Sequence, residues 1–352
     1  MRIGSAKPIL DSAARDISHV PTPDTLRGLY VSHWAALGRK FPNLIAIANK
    51  TEVNALVIDV KDDRGYVLYR SSVPLAHEIG ADTADGHVLS RSKIRARLDT
   101  MIAHNIYPIA RIVVAKDPIL ARKKLDLAIK RNSDLKPWLD KSGNPWLDPH
   151  QRAVWQYAVD LANEAYDLGF SEVQLDYVRF PDEKRLAREA VYPLAKGRTR
   201  DEVIREQLGF VHDQLKPRGM RVTADVFGFT GTDTTEMGIG QRWEMFIDQV
   251  DVVLPMVYPS HFPRNSYGIA YPNAHPYETL DHAFKDMISR SAPIAKPALI
   301  IPWYQDFTLG PPHYHAAQIR AQMKAGYDNG LQSWILWNPK SNYTLAALEP
   351  RK

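Results

Sequence analysis

Two aspartates stand where apolar runs stop. Asp176 closes Gly169-Phe-Ser-Glu-Val-Gln-Leu-Asp176, and Asp225 closes Arg221-Val-Thr-Ala-Asp225. A carboxylate flanked by Leu175, Tyr177 and Val178 is costly to bury without a partner or a task. Each run reads as a short buried strand. Neighbouring strands lie roughly 4.8 Å apart. Two carboxyls at matching depth on such strands can approach the roughly 5 to 5.5 Å separation of a retaining glycosidase. One attacks the anomeric carbon; the other protonates the leaving oxygen and then activates water. The plainer alternative has Asp176 capping a turn or holding Arg179.

The environments divide the labour. Arg111 and Arg179 are close to Asp176 in strand order, and a cation within roughly 4 to 6 Å favours the ionised carboxyl. At least one of them is expected to contact Asp176, the expected nucleophile, or its immediate neighbour. Asp225 lies among Ala224, Val226 and Phe227, where desolvation raises a carboxyl pKa toward that of a proton donor. Asp59 and Lys61 share parity on another apolar run and should share a face. Asp59 is expected to line the cleft and bind substrate hydroxyls, with a buried ion pair as its alternative. Tyr258, Trp303, Gln305, Trp337 and His33 fall at further strand ends and complete the expected substrate-binding set. Flat rings with polar edges, including Trp34, Trp138 and Trp146 in loops, suit sugar faces. Trp155 and Trp334 read as core.

Other chemistries find little support. There are no cysteines among the 352 residues. His261, His275, His282, His313 and His315 lie in polar loops with no HExxH pattern, so no metal is expected. No GxSxG elbow marks a serine nucleophile. No Gly-rich dinucleotide or phosphate fingerprint follows the first strand, and no cofactor is expected. Lys plus Arg number 45 against 40 Asp plus Glu, and the net charge of +5 is scattered, which argues against nucleic acid. No apolar run is long enough to span a membrane. The polar start, Met1 to Asp24, lacks the apolar core of a signal peptide. It suits a linker left after an export signal, favouring a periplasmic or secreted location, or else a cytosolic start. Nothing in the sequence sets the oligomeric state.

The elements that must position these residues alternate. Strand-like runs cover Leu29 to Ser32, Ala55 to Lys61, Tyr107 to Ala115, Val173 to Leu175, Arg221 to Gly228, Val250 to Tyr258, Ala298 to Gln305 and Leu331 to Trp337. Helical patterns separate them, among them Asp117 to Lys130, a helix starting at Asp148-Pro149, one starting at the Thr199 capping box, and Arg242 to Gln249. Eight such units predict a single α/β domain, a (β/α)₈ TIM barrel over residues 26–352, preceded by a linker or arm over residues 1–25. The longest inserts, Asp117 to Pro149 and Ser260 to Tyr277, follow strand ends, the side where barrel enzymes build their sites.

Three stretches carry a resemblance. Val57-Ile-Asp-Val-Lys-Asp-Asp-Arg-Gly65, Gln174-Leu-Asp-Tyr-Val-Arg-Phe-Pro181 and Pro302-Trp-Tyr-Gln-Asp-Phe307 resemble the marks of a bacterial family of glycosyl-hydrolase-like domains, first defined as a domain of unknown function. The chain is more distantly similar to the α-amylase superfamily, whose fourth strand ends in an Asp nucleophile and whose fifth carries the acid. Asp176 and Asp225 match those places, although Gln174 stands where the amylase pattern has Arg, and Asp225 where it has Glu. The resemblance implies a glycoside hydrolase acting on an α-linked glycan. The alternative is a carbohydrate-binding barrel without catalysis.

Overall fold

The computed structural model describes residues 18–83, 88–183 and 185–351. Eight parallel strands close into a barrel. They are β1 Arg27–Val31, β2 Ala55–Lys61, β3 Tyr107–Val113, β4 Glu172–Asp176, β5 Arg221–Phe227, β6 Val252–Met256, a two-piece β7, and β8 Trp334–Trp337. In β7, Leu299–Ile300 pairs with β6 while Trp303–Gln305 pairs with β8. Pro302 sits between the pieces and has no N–H to give the ladder. β8 pairs with β1, which closes the ring.

Helices cover the outside: α1 Lys40–Lys50, α2 Arg91–Ala103, α3 Arg152–Leu168, α4 Arg200–Leu215, α5 Trp243–Phe246, α6 Pro276–Ser291 and α7 Ala316–Asp328. Thr199 and Glu202 form the expected capping box on α4. Gly169 ends α3 at φ 111, a left-handed conformation that glycine adopts without a Cβ penalty. Beyond β8 the described chain forms a 3-10 turn, Leu345–Ala347, and an isolated bridge of Pro350 with Thr51.

Three expectations are corrected. The stretch Asp117 to Lys130 is a short helix, Pro118–Lys123, then a 3-10 turn, after which Lys130–Arg131 pairs with Ala190–Val191. Asp148 does not cap α3: its side chain turns back onto His150, accepting the backbone N–H at 3.0 Å and meeting Nδ1 at 2.7 Å. The pattern from Arg242 to Gln249 yields only the single turn α5. Of the arm expected over residues 1–25, residues 1–17 lie outside the described residues. Thereafter the segment packs on the barrel: His19 stacks on Tyr166 and Thr22 Oγ1 meets Tyr107 Oη at 3.1 Å.

Strand parity builds the interior. In β2, Leu56, Ile58 and Val60 join the layer between strands and helices, while Ala55 and Val57 face into the barrel with Tyr107, Ile109, Leu254 and Ile335. Two residues further along the same inward rows stand Asp59 above Val57 and Arg111 above Ile109. The register aligns Asp59 with Arg111, Arg111 with Gln174, and Gln174 with Thr223. The apolar barrel therefore carries one polar layer where its strands finish, and a separate pair, buried Glu172 with Arg221 at 3.3 Å, where they begin.

Candidate active site

Arg111 is the hub. Its Nη1 donates to Asp59 Oδ1 at 2.5 Å, and its Nε donates to Asp176 Oδ2 at 3.1 Å while lying 3.5 Å from Asp225 Oδ2. Its Nη2 also bonds Asp176 Oδ2. The two carboxylate oxygens facing Nε thus cannot be further apart than those two distances laid end to end. That limit accommodates the roughly 5 to 5.5 Å of retaining pairs.

The three carboxyls have different surroundings. Asp176 Oδ1 accepts the N–H of Tyr177 at 2.5 Å. Tyr177 holds φ 53, an uncommon conformation for a residue with a side chain. Asp225 is buried and accepts from Gln174 Nε2 at 2.9 Å and Trp303 Nε1 at 2.6 Å. Burial, followed by the negative charge of Asp176, pushes the Asp225 carboxyl well above its ordinary range, against the pull of Arg111 and those donors. Asp59 accepts from Tyr30 Oη at 2.5 Å, and burial lifts its pKa to about 6 even beside Arg111.

Above them opens a cleft of about 490 Å³. Arg111, Asp176 and Asp225 lie on its floor. Tyr258, Trp303 and Trp337 form one wall, with Tyr258 stacked on Trp337 at 5.3 Å between ring centroids. Phe227, Phe229, Phe262 and Met237 form an apolar wall, and Arg179, Tyr177 and Asp182 complete the rim.

The structure brings together Asp176, Asp225, Arg111, Arg179, Tyr258, Trp303 and Trp337, and moves others away. Asp59 does not border the cleft but lies behind Arg111, in an ion pair with it. Lys61 leaves the site: a register shift between Asp59 and Lys61 breaks their shared parity, and its Nζ bonds Asp117 at 2.9 Å and the Val113 carbonyl at 2.6 Å. Gln305 is fully buried and holds Ser260, accepting its N–H at 3.2 Å and its hydroxyl at 2.8 Å. His33 is buried with Nδ1 3.9 Å from Asp62 Oδ2, outside the cleft lining. Arg179 touches the Asp176 neighbourhood through the ring of Tyr177 rather than the carboxylate. Trp138 and Trp146 are core of a loop cluster with Ala115 and Ile129, while Trp34 is half exposed with Arg64 over its ring at 4.9 Å.

Some site residues escaped sequence reasoning. Gln174 shares parity with Asp176, so the alternation could have flagged it as a partner of Asp225. Tyr30 sits on β1 at a comparable inward position. Phe229 and Phe262 come from loops without periodicity, and no pattern announces them.

Solved structures share this architecture. The PgaB (BpsB) glycoside hydrolase domain from Bordetella bronchiseptica is 13% identical, with a TM-score of 0.61 over 91% of this chain and 95% of that one. A β-N-acetylhexosaminidase from Bacteroides fragilis is 13% identical, with a TM-score of 0.55 over 89% of this chain and 60% of that one. At such identity the likeness is one of fold. A hypothetical protein from Ruminiclostridium thermocellum is 36% identical over 56% of this chain and 97% of that one, with a TM-score of 0.49. No curated protein sequence matches the chain significantly. Residues 28–343, running from the first strand to beyond the eighth and holding every cleft residue named above, match one protein family, and the chain belongs to it: the family described as "putative glycosyl hydrolase domain".

Proposed function

We propose that the cleft hydrolyses an α-linked glycan by a retaining mechanism, with Asp176 as nucleophile and Asp225 as general acid and base. The observation that carries this reading is Arg111 Nε lying 3.1 Å from Asp176 and 3.5 Å from Asp225. One fixed cation holds two carboxylates close enough for attack and protonation on the same bond. Arg111 binds Asp176 through two nitrogens, which favours the ionised form a nucleophile needs. Burial and the adjacent Asp176 charge favour a proton on Asp225, as a general acid needs. Tyr258 and Trp337 supply a stacked platform for a sugar face. The family assignment supports carbohydrate chemistry; the α-linkage rests on the similarity of the strand-end aspartates to the amylase pattern.

One observation favours a second reading, a carbohydrate-binding barrel without turnover. Arg111 engages all three carboxyls at once, and the same pairing that keeps Asp176 ionised also draws its charge away from the anomeric carbon and weakens its attack.

Two substitutions separate the readings. Asp176→Ala abolishes turnover on every substrate, with partial rescue by azide or formate. Asp225→Ala lowers turnover roughly 10² to 10⁴-fold on glycans with poor leaving groups and spares the first step on activated aryl glycosides. New reducing ends from a panel of α-linked bacterial exopolysaccharides and aryl glycosides are the readout. Unchanged activity in either variant contradicts the two-carboxylate mechanism. A wild type that binds these glycans but releases no reducing ends establishes the binding barrel.

A further inference from the structure

Arg179 is the one cleft cation whose charge Arg111's network does not use. Its guanidinium is caged by three rings: Phe227 at 4.6 Å, Tyr177 at 4.8 Å and Trp146 at 5.1 Å from its central carbon. Its side chain is only 8% exposed. Its polar contacts use Nη1, which donates to the Phe180 carbonyl at 3.0 Å and stands 3.4 Å from Asp182 Oδ1. Asp182 is nearly half exposed, so it screens the charge weakly. Among the described residues, Nε and Nη2 have no hydrogen-bond partner, yet neither is a sealed polar atom. Arg179 lines the cleft.

A buried cation without a close counter-ion is expensive, and cation–π contacts offset only part of the cost. The cage does something else as well: it fixes the guanidinium plane. The Nε–Nη2 edge is the fork that grips a carboxylate through two parallel N–H bonds. A planar donor, rigid, desolvated and open on that edge alone, is suited to a planar anion delivered through the cleft.

We propose that Arg179 is a carboxylate-reading subsite, and that the glycan accepted by this cleft carries a sugar carboxylate near the scissile bond. The proposal deepens the glycan reading above and rests on it. Arg111 does not compete for the anion, because its three N–H-bearing nitrogens already face Asp59, Asp176 and Asp225. The carboxylate belongs either to a uronic acid or to a ketal-linked pyruvate. These share the same planar chemistry and are separated by the choice of probe.

Calorimetry with the full chain tests it without requiring turnover. The probes are trigalacturonate against its carboxyl-reduced neutral form, and a pyruvylated galactoside against its parent. Wild type should prefer the acidic member of at least one pair by roughly ten- to a hundredfold in Kd, the range that a hydrogen bond between charged groups supplies. Arg179→Leu should bring that ratio close to one. Arg179→Lys keeps the charge but loses the fork, and should leave an intermediate ratio. The pair that shows the preference identifies the source of the carboxylate. No preference in wild type for either pair overturns the proposal, as does a preference that survives in Arg179→Leu. Should Arg179→Leu fail to fold, as judged by its thermal melt, the wild-type ratio and the Arg179→Lys ratio decide. A neutral glycan cleaved as well as an acidic one would sink this subsite and leave the hydrolase reading standing. A clear acidic preference with no cleavage would do the reverse.

Discussion

Arg111 sets one positive charge against the carboxylates of Asp59, Asp176 and Asp225. It is nearly buried, so removing it leaves carboxylates in a low-dielectric floor with no cation among them. Arg111→Leu should destabilise the fold by about 3 to 5 kcal/mol, read as a lower denaturant midpoint with an unchanged slope. A loss below about 1 kcal/mol, the worth of an exposed pair, would mean that water already screens the floor. At this scale the sequence was legible where chemistry follows from strand parity. Asp176, Asp225 and Arg111 end inward rows, and their residue types announce charge in a core. Lys61 misled because parity assumes an unbroken ladder, and the register shift after Asp59 turns it toward Asp117. His33 and Gln305 misled for another reason. A strand end is necessary for reaching the cleft but does not fix where the side chain points, and Gln305 is spent on holding Ser260.

The element that shapes the cleft most tightly is the turn leaving β5. A Cβ on Gly228 would lie 2.4 Å from the Met256 carbonyl oxygen and 2.7 Å from Val257 Cα, both backbone atoms that have little room to yield. Only a glycine lets the end of β5 pass this close to β6. Gly228→Ala should therefore push β5 and β6 apart and cost roughly 1 to 3 kcal/mol, the range of an overpacked core. Phe227 and Phe229 flank Gly228 and form part of the cleft wall, so glycan affinity should fall as well. A variant with wild-type melting temperature and affinity would show that the turn has slack. The strands themselves were readable because buried parallel strands are continuous apolar runs. The long excursion between β3 and α3 was not: Asp117 to Lys130 has a helix-like composition, but the pairing of Lys130–Arg131 with Ala190–Val191 is a contact between distant segments that local pattern does not encode.

For the whole molecule, eight alternating units were enough to specify a closed barrel, because a twisted parallel sheet of eight strands buries its edges by closing. The site then follows from the fold: an apolar barrel interior topped by a polar layer at the strand ends. That layer makes stability depend on pH in a definite direction. Folded Asp59 keeps its proton up to about pH 6, whereas an unfolded aspartate loses it near roughly 3.9. Between these values the folded chain binds more protons, so stability falls as pH rises through the window. Asp225, raised by burial, acts in the same sense. Asp59→Asn should flatten that part of the melting temperature–pH curve; an identical slope in the variant would assign the dependence elsewhere. The central claim, that Asp176 attacks the anomeric carbon, is tested most directly by the mass of the protein after reaction with a panel of activated 5-fluoro glycosyl fluorides of α configuration. The account predicts a single glycosyl adduct that maps to the peptide containing Asp176 and is missing in Asp176→Ala. An adduct on Asp225, or turnover of a glycan with inversion at the anomeric carbon, would contradict it.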